Sequence, residues 1–547
     1  MAQSPPNEIL QEIFKYIVND IDHLHSCLLV NKIWCSNVVP ILWNRPFHLL
    51  LLHNNHLSHQ IISTYLSCLD KDERSKLDLN GITRSLSSSS SCSSDSSFSF
   101  SPSSSNFELP LSSYPIIPSR PPTHNYPSFL RHLSYFSFVA SIQEWCAVHN
   151  NWNPYAIRKI VQALFRLFAK FSPSLETLVF VMDMDNITNG LMLFDDNYHD
   201  FNGTLVTKRN LSILRESIVR NWISHIKEIE LAGDFVIDQN FPMEIRLPDF
   251  EYDEDGKHYD SSVEMSARFI ELQRDLKHFT LRESHYPRAI GVALKRQKSS
   301  LRHVEFIDTV FDEWCPLDWI PYCKRLESLT FIDSEMLIAK ILTPLRLSPL
   351  TQLKSLTFKE DPVPIDILET LIHSCNINLR EIVFGWPEDC KQDGYSFILN
   401  SISNFCPNLT KLGATIGRNE IPELFLILSN CRHLQRLEIY GNGCLLDVNE
   451  ILPELGKYLP PTLGELDIGA RWRFRSDILA RFFGNSKHVP LYKFVIQICD
   501  FINEEHLRVI VRHSMSSLKY FTFWDRNFSV TQEGMVKASE WLRKSVA

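Results

Sequence analysis

Three histidines, His53, His56 and His59, recur every third residue, a spacing that could set imidazoles along one side of a helix to hold a metal ion. No cysteine or carboxylate cluster stands near them in the sequence, so a solvated or packed histidine face is the better reading. Cys315 with Cys323, and His373 with Cys375, lack zinc-ligand spacing on both sides. The acidic run at 251–255, followed by Gly256, opens like a calcium loop. Its twelfth position, however, is Ser262, where a bidentate glutamate is required, so it reads as a charged insertion. The chain has no phosphate-binding glycine loop, no dinucleotide fingerprint and no Gly-x-Ser-x-Gly elbow. It thus offers no catalytic set, no metal site and no cofactor motif, and the chemistry expected of it is binding.

Size and composition narrow what it binds. A chain of 547 residues is too long for one ordinary core, although a repeat array grows without that limit. Hydrophobic residues at 44% and charged residues at 22% are globular values. A net charge of −9 and a pI near 6.1 argue against general nucleic-acid binding, which needs a basic surface. No apolar run reaches bilayer length; Leu49 to Leu52 is followed at once by His53-Asn54-Asn55-His56. Glu8 and Glu12 stand where a secretory signal would carry basic residues. Thirteen scattered cysteines form no paired framework, which points to a reducing compartment, cytoplasmic, nuclear or both.

The elements that would position a binding surface begin at the N-terminus. Ile9, Leu10, Ile13, Phe14 and Ile17 follow helical spacing, with Glu8, Gln11, Glu12 and Lys15 opposite. After the Asn19-Asp20 break a second run carries Leu24, Cys27, Leu28 and Ile33. A third, from Val38 to Trp43, stops at Arg45-Pro46. Three helices this short bury little surface among themselves, so a partner is physically attractive. The order Pro6-Asn7-Glu8-Ile9-Leu10-Gln11-Glu12-Ile13-Phe14, followed by Leu29-Val30-Asn31-Lys32-Ile33-Trp34, resembles the F-box, the segment that docks on the adaptor Skp1. That family usually opens with Leu-Pro, and Pro5 stands where the leucine belongs.

From Tyr126 onward one apolar triplet recurs: a first residue, a second three positions on, and a third two positions further. Copies run from Leu175-Leu178-Phe180 and Ile226-Ile229-Leu231 through Leu276-Phe279-Leu281, Leu326-Leu329-Phe331 and Leu434-Leu437-Ile439 to Leu518-Phe521-Phe523. A weaker copy stands at Leu130-Leu133-Tyr135. The later starts lie 25 to 30 residues apart, at or just above the leucine-rich-repeat period, and the triplet is the strand signature of such repeats. Two gaps of about 50 residues, after Leu175 and after Ile226, each leave room for one degenerate repeat. Helical periodicity between triplets, as in Ile365-Leu368-Leu371-Ile372, makes each repeat one strand and one helix. Cys323, Cys406 and Cys431 stand three residues before the opening leucine and Cys375 four before, which marks a small buried position near the helix-to-strand turn.

Together these features resemble the F-box/leucine-rich-repeat family, whose repeats often read Cys-Pro-x-Leu, as in Cys406-Pro407-Asn408-Leu409. The expected fold is α/β: an N-terminal three-helix F-box at 1–50, a helical connector at 51–84 and a Ser/Pro-rich disordered linker or loop at 85–125. A leucine-rich-repeat solenoid follows at 126–547, a horseshoe of parallel strands and helices with clear repeats from about 170 to 530. The resemblance implies a substrate-recognition subunit of a Skp1–cullin–F-box ubiquitin ligase, with no catalytic residue of its own. The alternative is a repeat scaffold that does not direct ubiquitination. Partners would be Skp1, a cullin reached through it and a protein substrate, with neither nucleic acid nor membrane.

On the adaptor side the resemblance points to Pro6, Ile9, Leu10, Ile13, Phe14, Val30 and Trp34. On the substrate side, strand residues alternating with buried leucines would line the concave face: Arg282, Glu305, Lys359, Glu381, Arg436, Glu438, Glu465 and Asp467. Trp386, Tyr440, Trp472 and Trp524, at or just after strand ends, are candidate aromatic anchors.

Overall fold

The computed structural model describes residues 6–18, 20–47, 58–79, 84–85, 116–117, 122–149, 154–173, 175–181, 216–232, 261–312, 317–347, 349–360, 363–385, 395–441, 443–499, 502–513 and 518–525. They fall into two compact units, with the division between Leu276 and Lys277, inside the repeat region.

The first unit opens with α1 (Asn7–Tyr16), α2 (Ile21–Leu28) and α3 (Lys32–Leu42). Two side-chain caps set their starts. Asp20 accepts from the backbone N–H of His23 at 3.1 Å, and Asn31 accepts from those of Ile33 and Trp34 at 2.9 and 3.0 Å. The Asn31 cap begins a new helix earlier than the apolar pattern suggests, so Ile33 belongs to the third helix and not to the second. An aromatic cluster continues from α3: Trp43 and Phe47 pack on Tyr65 of the helix Ser58–Ser67. Phe138 of Tyr135–Val148 and Phe168 of Pro154–Phe171 close around them. Arg166 adds a polar tie, bonding Glu216 at 2.7 Å and Glu73 at 3.1 Å.

Two short strands, β1 (Arg84–Ser85) and β2 (Ile116–Ile117), pair in parallel. The repeat strands of this unit are β3 (His132–Ser134), β4 (Thr177–Val181) and β5 (Glu228–Ala232), also parallel. β4 pairs directly with β5, so the Leu175 and Ile226 copies are neighbours in the sheet; residues 182–215, where the gap leaves room for a degenerate repeat, lie outside the described residues.

The second unit repeats one plan. Its parallel sheet runs β6 (His278–His285), β7 (His303–Val310), β8 (Ser328–Ile332), β9 (Ser355–Lys359), β10 (Glu381–Gly385), β11 (Lys411–Thr415) and β12 (Arg436–Tyr440). It continues with β14 (Glu465–Gly469), β16 (Lys493–Cys499) and β17 (Tyr520–Asp525). A side pair, β13 (Leu446–Asp447) with β15 (Trp472–Arg473), follows the strands β12 and β14. Helices such as Ile365–Cys375, Tyr395–Phe405, Ile421–Asn430 and Ser476–Asn485 connect successive strands, as parallel pairing requires.

Register makes the repeat a structural fact. Leu329, Leu356, Ile382, Leu412, Leu437, Leu466 and Phe494 stand opposite one another from strand to strand, and all are buried. The next inward row holds Phe306, Phe331 and Phe358, stacked at 5.2 and 5.0 Å between ring centroids. Just before each strand the backbone donates to its neighbour, as from Lys354 to Glu327 and from Arg380 to Lys354, each at 2.7 Å. Glu283, Asp308, Asp333 and Glu360 hold one repeat position, two residues past the second inward side chain, and each turns the chain with a positive φ of 50° to 65°.

Cys323, Cys375, Cys406 and Cys431 are buried under the turn into the strand. The thiols of Cys375 and Cys431 donate to the carbonyls of Leu350 and Cys406, each at 3.3 Å. Burial pushes the Cys406 and Cys431 thiols up to about 12, so they are inert packing groups. Among the described residues no helix is long and apolar enough to cross a membrane.

Candidate protein-binding surfaces

The first candidate surface is the outside of the three N-terminal helices. Leu10, Phe14, Leu24, Val38 and Leu42 form their core, with Trp34 packed edge-on against Phe14 at 5.4 Å. Asn37 donates to Asn7 at 3.1 Å and joins α3 to α1. Outside this core, Ile9 (52% exposed), Ile13 (45%) and Val30 (55%) face solvent together with Ile33. Two further residues are more exposed still, Tyr16 at 90% and Leu29 at 88%. So many large apolar side chains open to water on so small a bundle make this face a candidate contact surface.

The adaptor-side candidates therefore divide. Pro6, Ile9, Ile13 and Val30 lie outside, and Trp34 is half-buried. Leu10 and Phe14 are completely buried and cannot touch a partner; that expectation is corrected, since their side chains fill the space against α2 and α3. Pro5 lies outside the described residues. Tyr16 was missed, although Ile9, Ile13 and Tyr16 share the i, i+4, i+7 spacing of a second stripe on α1.

The second candidate surface is the face of the second unit's sheet that points away from the core. Register sorts it into rows. One reads Glu305, Thr330, Thr357, Val383, Gly413, Glu438, Asp467 and Val495 from β7 to β16. The row before it includes Glu381, Lys411, Arg436, Glu465 and Lys493, and the row after it Lys359, Gly385, Thr415, Tyr440, Gly469 and Gln497. At the β6–β7 end, His278 stands 3.6 Å from Glu305 and holds that carboxyl below its usual range, while burial lowers His303. Arg282 is half-buried beyond this pair, and Glu381 accepts from the Ser355 hydroxyl at 3.2 Å.

Charge concentrates on β11 to β16. Glu438 is nearly buried; it takes Arg436 Nε at 2.6 Å, Lys411 Nζ at 3.4 Å and the Tyr440 hydroxyl. Burial first, and then the Glu438 carboxylate, push the Tyr440 phenol far up, so it stays a donor. Glu465 receives the Tyr492 hydroxyl at 2.6 Å and Lys493 at 3.4 Å, and the Tyr492 bond leads in holding it below the usual carboxylate range. Among the described residues the hydrogen-bond partner of Asp467 is the Gln497 amide, 3.3 Å from each oxygen, and its pKa is raised by burial first and then by Glu438.

Most of the substrate-side candidates share this face. Trp472 does not. It is 1% exposed, because β15 pairs with β13 in a separate short sheet, and its assignment as an anchor is corrected. Trp386 lies outside the described residues, as does the side chain of Trp524. Lys411, Lys493, Tyr492 and Gln497 were missed, though each occupies or adjoins a position that the strand alternation makes available.

His53, His56, Cys315 and the run 251–255 lie outside the described residues; Ser262 starts no loop but lies in the helix Ser261–Glu271. His59 faces Glu144 at 3.4 Å. Among the described residues no group of three or more His, Cys, Asp or Glu could hold a metal ion.

Parallel strands in register, two buried rows and helical connections between strands define a leucine-rich-repeat architecture. No protein-family profile matches the chain, and no curated protein does. Among solved structures it is similar to the leucine-rich repeat-containing protein LegL7 from Legionella pneumophila. The identity is 12% and the TM-score 0.30, over 49% of this chain and 97% of that one. It is also similar to an internalin, inlF, from Listeria monocytogenes, at 13% identity and a TM-score of 0.28, over 60% of this chain and 91% of that one. Both likenesses are distant, and the architecture is assigned from this chain's own strand register.

Proposed function

We propose that this chain is a substrate-recognition subunit of a Skp1–cullin–F-box ubiquitin ligase, with the N-terminal helices docking on Skp1 and the repeats holding a protein substrate. The observation that carries this reading is the exposed apolar surface of Ile9, Ile13, Tyr16, Leu29, Val30 and Ile33 on helices whose residue order resembles the F-box. Covering such side chains contributes about 1.5 to 3 kcal/mol for each one fully buried, which favours a tight partner. The chain supplies no bond-making residue. It acts by proximity, raising the effective concentration of a substrate lysine near a charged conjugating enzyme. No disulfide joins the described cysteines, which fits a reducing compartment, cytoplasm or nucleus.

The alternative, a repeat scaffold that does not direct ubiquitination, is favoured by Pro5 in the place of the usual leucine. Co-purification of the full chain with Skp1 and a cullin separates the two, beside an Ile13→Asp, Val30→Asp variant altered only at exposed positions. Capture of both partners by the intact chain, lost in the folded variant, is the expected result. If the intact, folded chain captures neither, the scaffold reading replaces this one.

A further inference from the structure

The geometry points to a subsite for a basic side chain, lysine or arginine, of a bound protein: a notch over Gly469, walled by Tyr440 and Gln497, with Asp467 as its counter-ion. The inference rests on reading the open sheet face as a protein-binding surface, and it specifies the chemistry of what is bound there.

Three glycines interrupt the side-chain rows of this face, and two of the gaps are filled. A Cβ at Gly385 would meet the Tyr440 ring at 2.8 Å; one at Gly413 would meet Val383 at 2.9 Å and the same ring at 3.3 Å. Gly469 differs. A Cβ there would meet nothing nearer than the Ile439 carbonyl oxygen at 3.6 Å and Tyr440 Cδ1 at 3.9 Å. Its register partners are Tyr440 on one side and Gln497 on the other. Those flanking strands lie two strand spacings apart, about 10 Å, which after two side-chain widths leaves a slot for one incoming side chain.

Charge selects the occupant. Asp467 lies two residues before Gly469 on the same strand face. The local cations are committed elsewhere: Lys411 to Glu438, Arg436 to Glu438 and Glu465, and Lys493 to Glu465. Asp467 is left with a long, shared amide contact and with Glu438 as its cross-strand neighbour. Lys493 and Arg436 act on it only from a distance, and burial and Glu438 outweigh them and raise its pKa. An anion entering here meets two carboxylates. An apolar group would strip water from Asp467 without replacing its hydrogen bonds. A lysine or arginine lays its aliphatic stem over Gly469 and along the Tyr440 ring, with its charged end at Asp467.

The test uses the full-length chain and an array of random decapeptides with Arg, Lys, Met or Glu fixed at the centre. Arg- and Lys-centred peptides are expected to bind about tenfold or more above Met-centred ones, the scale of one added charge pair. Asp467→Asn should erase that preference. Gly469→Val should erase it as well by filling the slot, and should fold normally, since its Cβ has room and the residue suits a strand. Peptide binding without basic preference, or a preference that survives both substitutions, overturns the subsite and leaves the protein-binding face standing. Absence of any peptide binding by the folded chain counts against both.

Discussion

The N-terminal helices and the repeat sheet handle apolar surface in opposite ways. In the second unit each strand sends side chains such as Leu329 and Phe331 into a core continued by the next strand, and these are fully buried. In the three-helix segment five side chains make the core while Ile9, Ile13, Tyr16, Leu29, Val30 and Ile33 stay in water. A repeat's apolar face is covered by the next copy of itself. A short helical bundle has no next copy, so its outer apolar stripe stays exposed among the described residues.

Core substitutions test that contrast most strongly. Phe331→Ala removes the middle of the Phe306–Phe331–Phe358 stack and should cost about 3 to 5 kcal/mol, read as a lower denaturation midpoint. An equally large loss in Ile13→Asp would break the comparison, since Ile13 is exposed and its change should alter stability by no more than about 0.5 kcal/mol. Leu10→Asp instead buries a carboxylate among Phe14, Leu24 and Val38 and should unfold the helices, seen as lost protection of their amides from hydrogen exchange.

Smaller effects sharpen the boundaries. Asn31→Ala removes the acceptor at the start of α3 and should cost about 1 kcal/mol, measured by denaturant titration of the full chain. At the foot of the sheet, Lys354 and Arg302 each approach Glu327 at 2.6 Å, and the Lys354 bond leads in holding its carboxyl below the usual range. A folded pKa below the unfolded one gives stability that is fully present above the unfolded carboxylate value of about 4.3 and is lost as pH falls through the folded value. For an ion pair near the surface the loss should be about 0.2 to 1 kcal/mol, and Glu327→Gln should flatten that acid limb of the stability profile.

Much of the repeat sheet was legible because its signal is local. A strand alternates every two residues, so Leu437 and Ile439 pointing inward leaves Glu438 and Tyr440 facing out without any knowledge of neighbours. The recurring cysteines were readable for the same reason, one small residue at one place in each repeat. The gap after Leu175 was not legible, because its length has no periodicity to say which repeats adjoin; direct pairing of β4 with β5 makes the Leu175 and Ile226 copies neighbours. Trp472 misled because its burial depends on β13, some 25 residues earlier in the chain.

What the sequence determined by itself, then, is which residues make strands, which rows those strands bury and that a helix starts after Asp20, since each follows from bonds or alternation within a few residues. Tertiary structure decided between neighbours of like chemistry. Ile9 and Leu10 are both apolar and lie about 100° apart around α1, and only the placement of α2 and α3 sends one to water and the other to the core. Gly385, Gly413 and Gly469 are the same residue, yet the Tyr440 ring, held by Glu438, crowds the first, Val383 and that ring crowd the second, and the third keeps ordinary contact distances. Such choices rest on contacts between residues far apart in the chain, and no local pattern encodes them.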